Sequence, residues 1–206
     1  MRFLLTATAL FALISITGVS FADIVIDGNF DDWKKIPVLI EDPDDIADND
    51  GDIKNIKVET TKDTLYMLMT VYGTACPKND RRYYYHLLID ADNKLDTGFN
   101  NSEYEGNKTG VKKPIGVDFY AQVGRRNGAD DGITVNFLRA DSDDTVSENF
   151  KYMASGDSYE AAIPFEMFKP LDNLGSIFKV GSIIAIAAFQ EGNFNDWEVD
   201  WTESAT

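Results

Sequence analysis

What this chain can fold into is constrained first by the shortness of its extended runs. Gly, Asp, Asn and Pro break it between Asp23–Asp27, Ile53–Thr60, Thr64–Tyr72, Tyr83–Asp90, Gly116–Val123, Gly132–Arg139, Ser158–Ile163, Ile183–Gln190 and a last stretch near Trp197–Thr202. Many short strands with turn residues between them predict an all-β fold, an antiparallel β-sandwich of jelly-roll type or a barrel. Thr64–Tyr72 and Ile183–Gln190 are nearly unbroken apolar runs, as expected of strands covered on both faces. Helix is expected only as one short turn near residues 164–169, with Pro164 at its first position and Phe165 and Phe168 on one side. In Gly116–Val123, alternation puts Val117, Phe119, Ala121 and Val123 on one face and Asp118, Tyr120 and Gln122 on the other. That second face reads either as the solvated side of a sheet or as a ligand platform.

The amino-terminal segment is expected to be removed. Arg2 precedes an apolar stretch from Phe3 to Gly18, and Ser20-Phe21-Ala22 offers small residues where a signal peptidase reads. Residues 1–22 therefore read as a signal peptide, and 23–206 as a single secreted or periplasmic domain. No later segment is long enough for a bilayer-spanning helix, so the processed chain is not expected to span a membrane. The net charge of −16 disfavours nucleic acid and anionic membranes, whose phosphates need a basic footprint. A neutral ligand, a cation or a basic partner suits such a field better.

One cysteine, Cys76, and one histidine, His86, exclude an internal disulfide and a Cys/His zinc site. His86 lies in the apolar run Tyr83–Ile89 and reads as a packed or hydrogen-bonded strand residue rather than a catalyst. Cys76, beside Pro77, reads as a loop thiol. No nucleophile motif, phosphate loop or catalytic metal signature is present, so a non-catalytic protein is expected.

Acidic residues are concentrated in two segments. Asp42, Asp44, Asp45, Asp48, Asp50 and Asp52 crowd the first, and Asp90-Ala91-Asp92-Asn93-Lys94-Leu95-Asp96-Thr97-Gly98 forms the second. Carboxylates interleaved with Asn and Gly suit Ca²⁺, which takes about 6–8 oxygen ligands on a sharply bending chain. The second segment is not an EF-hand, because Leu95 stands where the invariant Gly belongs. The alternative for both segments is a solvated acidic loop.

Ile26-Asp27-Gly28-Asn29-Phe30-Asp31-Asp32-Trp33 resembles the opening of family 9 carbohydrate-binding modules and their DOMON-like relatives. In order along the chain, so do Asp52-Ile53-Lys54, Leu65-Tyr66, Leu88-Ile89-Asp90-Ala91-Asp92-Asn93 with Thr97-Gly98-Phe99, Gly116-Val117-Asp118-Phe119, and Tyr159-Glu160-Ala161-Ala162-Ile163-Pro164-Phe165. The resemblance implies a secreted β-sandwich that binds poly- or oligosaccharide and often holds Ca²⁺. It nominates Asp27, Asp32, Asp90, Asp92 and Asp118 as structural or ion-linked carboxylates; composition adds Asp48, Asp50, Asp52 and Asp96. Sugar rings need flat aromatic faces and planar amides or carboxylates. Trp33, Tyr104, Tyr120, Gln122, Trp197 and Trp201 are the candidates, although Trp33 also reads as a core anchor and Trp201 as part of a packed last strand. Two further readings stay open: a haem-binding electron carrier of the DOMON-like type, using Met67, Met69 and His86, and a ligand-free surface or scaffold protein.

Overall fold

The structure is a computed structural model that describes residues 23–106, 109–139, 142–147, 150–168, 183–192 and 198–206. The expected leader over 1–22 lies outside the described residues. In chain order the strands are β1 (Ile40–Glu41), β2 (Ile53–Thr60), β3 (Thr64–Val71), β4 (Arg82–Asp90), β5 (Phe99–Asn100), β6 (Gly116–Val117) and β7 (Phe119–Arg126). They continue with β8 (Ala129–Arg139), β9 (Ser142–Ser147), β10 (Lys151–Ser155), β11 (Ser158–Pro164), β12 (Ala185–Gly192) and β13 (Glu198–Trp201). One sheet runs β1-β2-β3-β11-β10, a second β13-β12-β4-β7-β8-β9, and β5-β6 forms a small ribbon. Every pairing is antiparallel. The expected helical turn is the 3₁₀ turn Phe165–Phe168.

The two large sheets enclose one core. Ile53, Ile56, Leu65, Met67 and Met69 of the first sheet pack with Tyr85, Leu87, Ile89, Phe119, Ala121, Val123 and Ile186 of the second. Each of the larger aliphatic or aromatic side chains removed from water contributes about 1.5–3 kcal/mol. The outer side of the second sheet is also covered: Leu88, Ala185, Ala187 and Phe189 meet Phe99, Ile115 and Val117. This second layer explains why β12 is apolar along both faces. It also accounts for a departure from the expected alternation in Gly116–Val123. The strand is interrupted at Asp118, so Val117 joins the outer layer while Phe119, Ala121 and Val123 face the core.

Asp23–Asp27 is not a strand. A side chain holds its end: Glu160 Oε1 on β11 accepts the N–H groups of Asp27 and of the following Gly28, each at 2.7 Å. The other oxygen, Oε2, accepts from Trp33 Nε1 at 2.8 Å. Gly28 has φ +82°, where a side chain is strained, and an added Cβ would meet Met153 Cγ at 3.0 Å. Two segments that carry the family resemblance, Ile26–Trp33 and Tyr159–Phe165, are thus joined through one buried carboxylate. Trp33 is 0% exposed, so it anchors this junction and offers no face to a ligand.

Removing the Glu160 acceptor leaves three donors unpaired, two of them backbone. Glu160→Ala is expected to cost about 3–5 kcal/mol in urea unfolding, because each orphaned buried donor costs about 1–3 kcal/mol and loss of the carboxylate's own burial penalty offsets part of the sum. A loss under about 1 kcal/mol, within the usual range of a surface substitution, would contradict this role.

Candidate metal centre and adjoining cleft

The acidic segment 42–52 is held against the second sheet by the tyrosines of β4. Tyr83 Oη donates to Asp48 Oδ2 at 2.8 Å, and Tyr85 Oη donates to the Asp50 carbonyl at 2.9 Å. Arg81 Nη1 pairs with the same Asp48 oxygen at 2.7 Å. Thr74 N donates to Asp50 Oδ1 at 2.8 Å, and Gly73 N to the Asn49 carbonyl at 2.7 Å. Gly73 is required at this close approach, because an added Cβ would lie 2.8 Å from the backbone of Asn49 and Asp50. Asp48 and Asp50, both expected as metal ligands, are therefore spent on anchoring the loop and do not join the cluster.

The same anchoring turns other carboxylates inward. Asp42, Asp45, Asp52 and Asp200 each offer an oxygen, and these atoms lie within 4.8 Å of one another. Asp52 is 0% exposed, Asp200 2% and Asp42 9%, while Asp45 is open to solvent. Ile53 N donates to Asp200 Oδ2 at 2.6 Å, and Ile46 N to Asp52 Oδ2 at 3.2 Å. Asp42 Oδ2 and Asp52 Oδ1 are sealed from solvent and receive no hydrogen bond. Among the described residues, no ion pair reaches any of the four. Burial, reinforced by the neighbouring carboxylates, pushes Asp42 up to about 8 and Asp200 up to about 7. Burial likewise pushes Asp52 up to about 6. Buried acceptors with no donor and shared negative charge fit a hard divalent cation, which supplies the missing partner to several oxygens at once.

Asp52 alone of the expected metal residues enters this cluster. Asp42 and Asp45 belong to the acidic run without having been nominated individually. Asp200 was missed; its only local signal is an acid between Val199 and Trp201 on a strand otherwise suited to burial.

A second group, Asp90, Asp92 and Asp118, also converges within 4.8 Å. Its oxygens have internal donors. Asp90 accepts from Lys94 N at 3.1 Å and Gly116 N at 3.2 Å, and Asp118 Oδ2 from Ala91 N at 2.8 Å. Asp92 accepts from Thr97 Oγ1 at 2.8 Å and faces the Lys94 ammonium at 3.2 Å. Burial raises the Asp90 carboxyl above its ordinary range. This group fits a cation less well than the first, because its donors are already in place. Asp96 is exposed and outside both groups. Asp27 and Asp32 also lie outside them: Asp27 Oδ1 accepts from Asn29 N and Asp32 Oδ2 from Val25 N, each at 2.8 Å.

Beside the four aspartates lies an open cleft of about 240 Å³, lined by Asp45, Ile46, Tyr104, Thr109, Val199, Asp200 and Trp201. Its aromatic wall is built across strands. Phe189 on β12 pairs with His86 on one side and Trp201 on the other. His86 stacks on Phe189 at 3.9 Å, and Phe189 on Trp201 at 4.4 Å. Tyr104, on the 3₁₀ turn Asn101–Gly106, tilts over Trp201 at 5.1 Å, and its hydroxyl donates to Glu191 Oε2 at 3.1 Å. Buried Asn101 holds that turn by accepting Ile115 N at 2.8 Å.

Tyr120 and Gln122, expected as ligand contacts, instead surround His86. Tyr120 meets the imidazole edge-on at 5.5 Å, and His86 Nε2 lies 2.9 Å from Gln122 Oε1. Burial drives the His86 imidazole down to about 4, keeping it neutral at ordinary pH. Of the aromatic candidates, Tyr104 and Trp201 are brought together at the cleft; Trp197 lies outside the described residues. Met67 and Met69 sit in the inter-sheet core, while the ring partners of His86 belong to the outer layer. The three expected haem contacts therefore do not converge.

No protein-family model matches the chain, and a search of curated proteins finds no match.

The raised carboxyls give the pH dependence a definite sign. In the folded state Asp42, Asp52 and Asp200 hold protons above the ordinary aspartate value of about 3.9, so their contribution to stability is present below it. In chelator, that contribution falls as pH rises through about 6, 7 and 8. The melting temperature of the EDTA-treated protein is expected to decline from pH 5 to 8.5, and Asp42→Asn is expected to flatten the decline. A melting temperature that rises over this window, or an unaltered slope in the variant, would contradict the assignment.

Proposed function

We propose that the protein is a secreted, non-catalytic carbohydrate-binding module whose acidic loop is stabilised by Ca²⁺. The observation that carries this reading is the cleft in which Trp201 and Tyr104 stand beside the carboxylates of Asp45 and Asp200. Flat aromatic faces suit the C–H side of a pyranose ring, and carboxylates suit its hydroxyls. A site of this kind binds through shape and polar contacts and requires no reactive group. The residues that would hold the ion are Asp42, Asp45, Asp52 and Asp200. Bound there, Ca²⁺ would neutralise carboxylates contributed by the acidic segment and by β13, drawing the two together.

The strong acidity supports a neutral glycan over an anionic one, and the amino-terminal apolar segment supports export. No single observation favours haem binding or a purely structural role over this reading.

Affinity electrophoresis of residues 23–206 in gels containing soluble neutral polysaccharides is expected to retard the protein. Trp201→Ala is expected to weaken retention by roughly 30-fold, equivalent to about 2 kcal/mol for an aromatic hot spot. Circular dichroism of the variant checks that the sandwich persists. Calcium at 100 times its Kd should add about 2.7 kcal/mol, raising Tm by about 5–10 °C, and Asp52→Asn should remove most of that shift. Absence of retardation by every polysaccharide would contradict sugar binding; an unchanged Tm would contradict the ion.

A further inference from the structure

Asp45 and Asp200 belong to the cation cluster and to the cleft wall at the same time. The cluster is graded across its width. Asp42 and Asp52 form a sealed side, each at least nine-tenths buried and each with an oxygen that no donor reaches. Asp45 is exposed on the cleft side, next to Trp201 and Tyr104. Four carboxylates giving one oxygen each leave about two to four of the usual 6–8 calcium positions to other oxygens. Asp45 and Asp200 line the cleft, whereas Asp42 and Asp52 do not. The open positions therefore face the cleft.

Resting on the carbohydrate-binding reading, we infer that an ion held by Asp42, Asp45, Asp52 and Asp200 is itself a ligand contact, taking two vicinal hydroxyls of a neutral glycan directly into its coordination shell while Trp201 or Tyr104 covers the ring. The charge balance selects the sugar class. Four ionised aspartates around one divalent cation keep a residual charge of −2 on the formal count, on a chain of net charge −16. A uronate or sulfated sugar is repelled by that field. A neutral diol is not. Each hydroxyl carries lone pairs for the ion and a proton for a carboxylate oxygen, so excess acceptors at Asp45 and Asp200 become useful. The ion thus does more than brace the loop: it sets which substituents of a sugar can enter.

The test uses residues 23–206 with a neutral oligosaccharide derived from whichever polysaccharide retards the protein, and with Tb³⁺ in place of Ca²⁺. Trp201, lining the same cleft, serves as the antenna for terbium emission. The apparent number of waters on terbium follows from luminescence decay in H₂O against D₂O, and the oligosaccharide is expected to lower it by about one, because two waters with two O–H groups each are exchanged for two hydroxyls that keep one each. In gels, EDTA is expected to weaken retention at least 10-fold, and Ca²⁺ to restore it. Unchanged decay while the oligosaccharide is bound would overturn the inference and leave the carbohydrate-binding reading standing. So would full retention by a chelated protein that circular dichroism finds folded. If the chelated protein unfolds, the decay measurement on the loaded protein decides. Polygalacturonate binding more tightly than every neutral polymer would overturn the sugar class, and no retardation by any polymer would overturn both readings.

Discussion

Buried carboxylates accepting backbone N–H groups hold the irregular parts of this fold to its sheets. Glu160 carries the amino-terminal segment, Asp200 the start of β2, Asp118 the exit from β4, and Asp90 the approach to β6. A charged acceptor gives a hydrogen bond contributing about 1.5–3 kcal/mol, and an orphaned buried donor costs a similar amount. Such bonds let segments lacking strand partners lie against the sandwich without leaving their backbone unsatisfied. At Glu160 and in the Asp90–Asp92–Asp118 group, donors and acceptors are well matched. Around Asp42, Asp45, Asp52 and Asp200 they are not: acceptors outnumber donors, an imbalance that protons or a cation would redress.

The imbalance sits where the architecture is open. The outer layer over β12 and β4 ends at Tyr104 and Trp201, and the acidic segment arrives from the other side, leaving a cleft between aromatic and carboxylate walls. The His86–Phe189–Trp201 stack keeps the aromatic wall rigid, because each ring is fixed by strand pairing as well as by its neighbour. A rigid aromatic face loses little entropy when a ring settles on it. On the proposed reading, stability and recognition would draw on the same few residues.

Much of this was legible in the sequence, because strand patterning and turn residues are local signals. All the expected runs but Asp23–Asp27 reappear, as β2, β3, β4, β7, β8, β11, β12 and β13, most with shifted ends. The short β1 and β5 and the polar β9 lack an apolar run to announce them, and β10 offers only Tyr152-Met153-Ala154. Clustered acids mark the segment that supplies three of the four converging aspartates, but not which of its residues converge. Whether Asp48 or Asp45 joins the cluster depends on Arg81 and Tyr83, more than 30 positions away. The partnership of Asp200 with Ile53 spans 147 positions, and that of Glu160 with Trp33 spans 127. Periodicity carries no trace of such pairings. Asp118 misled for a related reason: an even alternation gave no sign that one residue would leave the strand.

The most direct test of the account is an anomalous difference map from crystals of residues 23–206 grown with calcium. A peak within coordination distance of Asp42, Asp45, Asp52 and Asp200 is the expected result, at oxygen distances of about 2.3–2.6 Å. No peak there in saturating calcium, with the aspartates paired through shared protons instead, would contradict it.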